Sequence, residues 1–243
     1  KWLGDPDFVK VPQKELLSQE FLKQRWQDFN FDLATDSKKV SGGAIPGYES
    51  METTHSSFAD KEGNAVSITT TLNNSYGSKV IVAGGGFLLN DEMDDFSIKP
   101  GHPNSYGLVG NEANAIAPNK RMLSSMTPTI VEKDGKLFMI LGTPGGSTII
   151  TSVFQVFLNV VEHGMNMQQA VDALRFHHQW LPDRTTFEEG GFTPQTLQKL
   201  LGRGYKMESQ KNTIGRMDCI LLLPNGQYEG GADVRADDTA VGY

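Results

Sequence analysis

The chain has 243 residues, 38% of them hydrophobic, with 26 glycines and a formal net charge of −7, the composition of a globular domain rich in turns. The acidic balance, without a cluster of Lys and Arg, argues against nucleic acid as a partner, and no apolar run approaches the roughly 18 residues that would cross a bilayer. The single cysteine, Cys219, excludes an internal disulfide. It lies in the apolar run Cys219-Ile220-Leu221-Leu222-Leu223, which predicts a buried strand thiol rather than a nucleophile. The opening Lys1-Trp2-Leu3-Gly4-Asp5-Pro6 carries neither an initiator Met nor a charged-then-apolar secretion signal, so a longer parent polypeptide is expected.

Taken in chain order, Leu16, Leu17, Phe21, Leu22, Trp26 and Phe29 recur every three to five residues and predict an amphipathic helix from Gln13 to Asn30. A polar, glycine-containing connector follows from Asp36 to Ser50. His55 to Ala59 and Ala65 to Leu72 flank the turn signal Lys61-Glu62-Gly63-Asn64 and predict a hairpin. Thr129 to Glu132 and Leu137 to Leu141, around Lys133-Asp134-Gly135-Lys136, predict a second. The apolar stretch around Val153 to Val161 reads as a buried helix running from about Thr148 to Glu162, ended by His163-Gly164. A further helix is expected from Gln168 to Leu174. Another should start at Thr193-Pro194, a cap followed by Pro at the first helical position, and stop near Gly202. Cys219 to Leu223 returns to strand before the turn Pro224-Asn225-Gly226. Strands, then helices, then strands favour an α+β layered domain.

Chemistry concentrates where the connector meets the first strand, at Glu52-Thr53-Thr54-His55-Ser56-Ser57. An internal Thr lacks an adjacent base, and β-branched residues there need be nothing more than strand. If the Glu52-Thr53 bond is cut, the freed α-amine, with an unperturbed pKa of ~7.7 to 8.0, becomes a general base beside the Thr53 hydroxyl. His177 and His178 are adjacent, so their side chains cannot converge on one ion from a strand or helix. They are read with His55 as structural hydrogen-bonders, and neither a metal nor a cofactor is expected. His102 and His163 carry no motif.

Thr53-Thr54-His55-Ser56-Ser57 resembles the processing site of γ-glutamyltranspeptidases, and the resemblance continues in order along the chain. It takes in Gly63-Asn64-Ala65-Val66-Ser67, Thr69-Thr70-Thr71-Leu72-Asn73 and Leu89-Asn90-Asp91-Glu92-Met93-Asp94-Asp95-Phe96. Pro103-Asn104-Ser105-Tyr106-Gly107, Ala117-Pro118-Asn119-Lys120-Arg121 and Leu123-Ser124-Ser125-Met126-Thr127-Pro128-Thr129 follow. Gly142-Thr143-Pro144-Gly145-Gly146-Ser147 and Arg175-Phe176-His177-His178-Gln179-Trp180-Leu181-Pro182 complete it. Gly4-Asp5-Pro6-Asp7-Phe8 is similar to the large-subunit segment upstream of the processing site, whereas Asp233-Val234-Arg235-Ala236-Asp237-Asp238 matches the family's closing block only loosely.

The resemblance implies the αββα sandwich of N-terminal-nucleophile hydrolases, with residues 1–52 as the end of the large subunit and 53–243 as the small catalytic subunit. It implies Thr53 as nucleophile, Thr71 as the residue that orients it, and Gly145 and Gly146 as the oxyanion donors. Glycine there lets a backbone amide approach a tetrahedral oxyanion; the same Thr-Pro-Gly-Gly is equally a plain turn, with Ser147 as cap of the next helix. Asn73, Glu92 and Asp95 are implied to hold the substrate's α-amino group, for which acceptor-only carboxylates are suited. Ser124 and Ser125 are implied to bond its α-carboxylate, and Tyr106 to lie in a lid. An arginine that the family places upstream is lacking, and Arg121, Arg175 and Arg184 lie outside its motif. The implied reaction is γ-glutamyl transfer from glutathione or related amides to water, amino acids or peptides. The implied partner is the missing large-subunit polypeptide, and the implied location is periplasmic or extracellular. Alternatives are a related amidase, such as a cephalosporin acylase or a poly-γ-glutamate processing enzyme, or an inactive fragment that needs the upstream subunit.

Overall fold

The computed structural model describes residues 2–40, 53–102 and 110–242. Its central sheet begins with a hairpin of β3 (Thr129–Lys133) and β4 (Lys136–Leu141). The two turn residues, Asp134 and Gly135, both have positive φ, 53° and 72°, the left-handed pair that matches the twist of a two-residue hairpin. β4 then pairs antiparallel with β8 (Asp218–Leu222), and β8 with β9 (Tyr228–Ala232). Met139, Leu141, Cys219 and Leu221 line one face of this sheet. They pack against Ile149, Val153 and Val156 of helix α3 (Thr148–Val161) and Met167, Ala170 and Val171 of α4 (Met167–Asp172). Burial pushes the Cys219 thiol up to about 12, so it is an inert core group, as its apolar run predicts. α3 is amphipathic rather than buried all round: Ile150 and Phe154 are exposed.

The other face of the sheet carries the hairpin of β1 (Thr53–Ala59) and β2 (Ala65–Thr71), which runs in register from Ala59 opposite Ala65 to Thr53 opposite Thr71. Its polarity is the reverse of the usual one. The inward side presents His55, Ser57, Ser67 and Thr69, whereas Phe58, Val66 and Ile68 are 58%, 51% and 49% exposed. Hydrogen bonds therefore do the docking. Ser57 Oγ donates to the carbonyl of Asp218 at 2.9 Å, and Ser67 Oγ donates to that of Leu141 at 3.1 Å while accepting the Thr129 amide at 3.1 Å. The His55 ring fills the space over Gly142, where any Cβ would collide with it. Burial pushes this imidazole down to about 4, so it is neutral. Because the Ser57 proton points to Asp218, Nε2 is the ring donor to Ser57 (3.0 Å) and Nδ1 accepts from Thr69 Oγ1 (2.7 Å).

The amphipathic pattern after Gln13 forms two helices instead of one, α1 (Gln13–Leu16) and α2 (Gln19–Trp26). Ser18 interrupts it, because its side chain accepts the Phe21 amide at 3.2 Å and so starts a new helix. The chain leaves helix after Trp26, and Asn30 Oδ1 caps the following turn by accepting the amides of Asp32 and Leu33. The apolar side chains of this segment, Leu17, Trp26 and Phe31 among them, remain exposed. The connector begins with a single 3-10 turn, Ser37–Lys39.

The helix predicted from Thr193 is α5 (Pro194–Gly202), with Thr193 accepting the Thr196 amide at 3.2 Å. Around it lies a small sheet of β5 (Phe176–His177), β6 (Thr185–Glu188) and β7 (Met207–Gln210), β6 and β7 being parallel. These strands are too short to show a period in the sequence. The small sheet and the core meet at a buried ionic cluster. Arg175 donates to Asp233 Oδ2 (2.7 Å) and to the carbonyls of Ile214, Val171 and Gly215. Arg235 donates to both oxygens of Asp233 and to Glu188. Arg175 is 1% exposed and Asp233 0%. Asp233→Ala leaves Arg175 buried without its counter-charge, which is expected to cost about 3–5 kcal/mol. Thermal or urea denaturation of the full-length protein checks it; a loss below about 1 kcal/mol, the level of an exposed pair, would mean that the cluster tolerates an open charge.

Candidate active site

Thr53 opens β1 and faces Thr71, the last residue of β2. Residues opposed in this way lie about 4.5–5.5 Å apart at Cα. Strand alternation puts both side chains on the inward face with His55 and Thr69. Thr71 Oγ1 accepts the amide of Asn73 at 2.8 Å, which turns the chain out of the strand. Asn73 has φ 73°, a left-handed conformation that Asn tolerates better than most side chains. It is buried, and its Nδ2 donates to the carbonyl of Asp91 at 3.1 Å. Asp91 pins the far end of the loop in return. Its amide donates to the Leu72 carbonyl, and its carboxylate accepts from Asn74 N (3.1 Å) and Asn74 Nδ2 (2.6 Å). Asp91 did not emerge as a candidate from the sequence. It is nevertheless the residue that returns the acidic turn to the end of β2 beside Thr71.

That turn is a 3-10 helix, Glu92–Asp95. Both carboxylate oxygens of Glu92 are buried without a hydrogen-bond partner among the described residues. Burial, and then the neighbouring charge of Asp95, push Glu92 up to about 7. Burial also raises Asp95, while the hydrogen bond from the Ser125 hydroxyl pulls it back. The two carboxyls thus form a desolvated acidic pair, and among the described residues neither is ion-paired with a cation. Ser125 Oγ donates to Asp95 Oδ1 at 3.2 Å, and Ser124 Oγ accepts the Met126 amide at 3.2 Å. The serines therefore stand beside the acidic pair. With Met126 supplying a donor to the Ser124 oxygen, the Ser124 proton can turn to an anion.

The Gly-Gly turn joins β4 to α3. Gly145 has φ 138° and Gly146 φ 54°, and a Cβ on Gly145 would come within 2.6 Å of Thr148 Oγ1, so glycine is required there. The carbonyls of both are engaged, Gly145 by Thr148 and Gly146 by Ile149, whereas neither amide donates to a described residue. Behind the turn, Arg216 N donates to Thr143 Oγ1 at 2.7 Å, and Gly215 packs against Gly145. With His55 over Gly142, the next inward position along β1 is Thr53, at the end where β4 runs into this turn.

Ser147 does not cap α3. It sits at the N-cap position in helical conformation (φ −63°, ψ −20°), which directs its hydroxyl sideways to Gln179 Oε1 at 2.5 Å. Gln179 continues to His177 Nε2 (2.9 Å), and His177 Nδ1 to Thr151 Oγ1 (2.8 Å). His177 is thus a structural hydrogen-bonder, and so is His178, which accepts the Trp180 amide. Arg121 is paired with Asp5 and Asp7, Arg175 with Asp233 and Arg184 with Glu208, so each of these arginines already has a carboxylate. Tyr106 with its Pro103-Asn104-Ser105-Tyr106-Gly107 block, and Glu52, lie outside the described residues. Among the described residues no group of His, Cys, Asp and Glu converges as a metal ligand set, and no helix is long and apolar enough to cross a membrane.

The family model described as Gamma-glutamyltranspeptidase matches residues 1–243. The chain belongs to this family. It is 48% identical over 244 residues to the glutathione hydrolase proenzyme of Escherichia coli K12, covering 100% of this chain and 42% of that protein. It therefore spans well under half the length of that relative. Among solved structures it resembles the T380A mutant of Helicobacter pylori γ-glutamyltranspeptidase, with 52% identity and a TM-score of 0.72 over 75% of this chain and 100% of that one. A cephalosporin acylase from Bacillus halodurans gives a TM-score of 0.78 at 26% identity, over 98% of this chain and 41% of that one. The fold is that of the N-terminal-nucleophile hydrolases, in the α+β class expected from the order of elements.

Glu92 sets a pH dependence that can be measured without substrate. Its folded pKa of about 7 stands above the ordinary 4.5, so the stability it contributes is complete below pH 4.5 and is lost as pH rises through about 7. Asp218, raised by burial to about 7, acts in the same direction. Glu92→Gln is expected to flatten part of the decline in thermal midpoint between about pH 4.5 and 7. A midpoint profile indistinguishable from wild type would place Glu92 in contact with solvent.

Proposed function

We propose that this chain carries the catalytic part of an enzyme that removes γ-glutamyl groups from amides such as glutathione and passes them to water, amino acids or peptides. The observation that carries this reading is Glu92, whose buried oxygens have no donor among the described residues and stand beside a second desolvated carboxylate, Asp95. An α-ammonium supplies the missing donors, and Ser124 and Ser125 lie next to the same pair for an α-carboxylate. This acidic, amino-acid-reading site favours a γ-glutamyl donor over the acyl chain of a β-lactam, for which two buried carboxylates would be a poor lining.

Maturation in this reading cuts the Glu52-Thr53 bond through an N→O acyl shift at the Thr53 hydroxyl. The freed α-amine of Thr53 then takes the hydroxyl proton as Oγ1 attacks the γ-carbonyl carbon. The tetrahedral oxyanion is met by the Gly145 and Gly146 amides. The C–N bond breaks, the leaving amine takes the proton, and a γ-glutamyl ester remains on Thr53. Water or an acceptor amine then attacks that ester by the reverse proton path. Thr71, opposite Thr53 in the hairpin, orients the nucleophile, and Asn73 holds the turn that brings Glu92 and Asp95 to it. The name of the Escherichia coli relative, a glutathione hydrolase proenzyme, agrees with both donor and maturation. The upstream polypeptide is the partner that completes the site, in a periplasmic or extracellular enzyme.

Two substitutions test the assignment in the full-length protein. Thr53→Ala is expected to leave the precursor uncut and to abolish hydrolysis of γ-glutamyl-p-nitroanilide, with an unchanged circular dichroism spectrum. Cleavage at Glu52-Thr53 in that variant, or residual turnover, refutes Thr53 as nucleophile. Asp95→Asn is expected to mature normally but to lose about 2–5 kcal/mol of substrate binding, since it removes a carboxylate facing a desolvated ammonium. Steady-state kinetics decide it, and an unaltered KM would reduce the acidic turn to a surface loop.

A further inference from the structure

Asn114 has no place among the groups described so far, yet it sits between the two halves of the site. It ends the one-turn 3-10 helix Glu112–Asn114 and is 7% exposed. Its Nδ2 donates to the carbonyl of Asp95 at 2.7 Å, and its Oδ1 accepts the amide of Leu123 at 3.0 Å. Its own carbonyl accepts the Ser97 amide at 2.8 Å. Lys120 Nζ fixes the backbone on either side by donating to the carbonyls of Ala113 (2.9 Å) and Ala115 (2.8 Å). Asp95 is the last residue of the acidic turn, and Leu123 immediately precedes Ser124 and Ser125. A single buried carboxamide thus spans from the segment bearing the carboxylates to the segment bearing the serines.

We propose that Asn114 is a positioning residue that sets the spacing between the acidic pair and the two serines, and thereby makes the site select substrates that carry an ammonium and a carboxylate on the same carbon. The proposal rests on the reading of Glu92, Asp95, Ser124 and Ser125 given above. A site that reads two charges gains from having both contacts at a fixed separation, because the second forms within a complex already held by the first. Loosening the separation removes that joint gain and leaves each single contact nearly as strong as before. Asn is suited to the task because its short side chain presents a donor and an acceptor together. Asp would keep the acceptor for Leu123 and lose the donor to Asp95, and Ala would lose both.

The test uses the full-length protein with three p-nitroanilides. One is γ-glutamyl, one is glutaryl, which lacks the ammonium, and one is 4-aminobutyryl, which lacks the carboxylate. Wild type should prefer the γ-glutamyl compound. Asn114→Ala and Asn114→Asp should raise its KM by about tenfold or more, as expected for a lost buried hydrogen bond, with kcat within about threefold of wild type. Turnover of the two single-ended compounds should change by less than about threefold, and self-cleavage should proceed as in wild type. An equal fall on all three compounds, or failure of both variants to mature, shows a general structural role and overturns the proposal. So does an unchanged KM in variants of an enzyme whose wild type discriminates among the compounds. If wild type itself does not discriminate, the reading of the acidic pair and serines fails, and the role of Asn114 fails with it.

Discussion

The buried pairing of Arg175 with Asp233 is the constraint on which the rest of the molecule leans. A guanidinium and a carboxylate removed from water are tolerable only when every donor and acceptor around them is met, and here the partners come from widely separated parts of the chain. Val171 belongs to α4, Glu188 to the end of β6, and Ile214, Gly215 and Met217 to the approach to β8. Asp233 and Arg235 follow β9. The cluster thereby ties the small sheet, the helical layer and the tail to one another. Its effect reaches the Gly-Gly turn by a short path. The segment it grips packs behind Gly145 and bonds Thr143, the residues that shape the Gly-Gly turn.

A second kind of order governs β1, the strand that Thr53 opens. Apolar packing is forgiving about direction, whereas the hydroxyl-to-carbonyl bonds of Ser57 and Ser67 accept one register only. A slip of one residue would swing these hydroxyls outward and leave the carbonyls of Asp218 and Leu141 unmet. The β1–β2 hairpin is therefore located by direction-sensitive bonds, which fix the position of Thr53 at its first residue. Its apolar side remains available for other polypeptide to cover.

Much of this architecture is legible in the sequence. Both hairpins, α3, α5 and its Thr193 cap follow from alternation, turn residues and capping chemistry acting within a few neighbours. The helix expected from Gln13 to Asn30 divided because the hydroxyl of Ser18 competes locally for an amide, an effect that hydrophobic spacing does not register. Ser147 was misread for a related reason, since a residue in helical conformation cannot swing its hydroxyl back over the first turn. The candidate residues of the site were named through the motif blocks, but their supports were not. Asp91 bonds Asn74 seventeen residues away, Asn114 bonds Asp95 nineteen away, and Arg175 bonds Asp233 across 58. Such partners come together only through tertiary structure, and no local pattern in the chain announces them.

The first forty residues carry a consequence of their own. They are fastened near one end by Asp5, which takes the Arg121 amide and guanidinium. Near the other end, Ser37 donates to Asp183, Trp180 donates to the Ser37 carbonyl, and Ala34 donates to that of Arg203. These anchors lie on the same side of any break between residues 40 and 53, and their partners all lie on the other. A severed backbone there alters covalent connectivity and leaves these described anchors on both of its sides. The two polypeptides would run as separate bands under denaturing conditions and as one particle in native chromatography, the join having passed from a peptide bond to a set of ion pairs and hydrogen bonds.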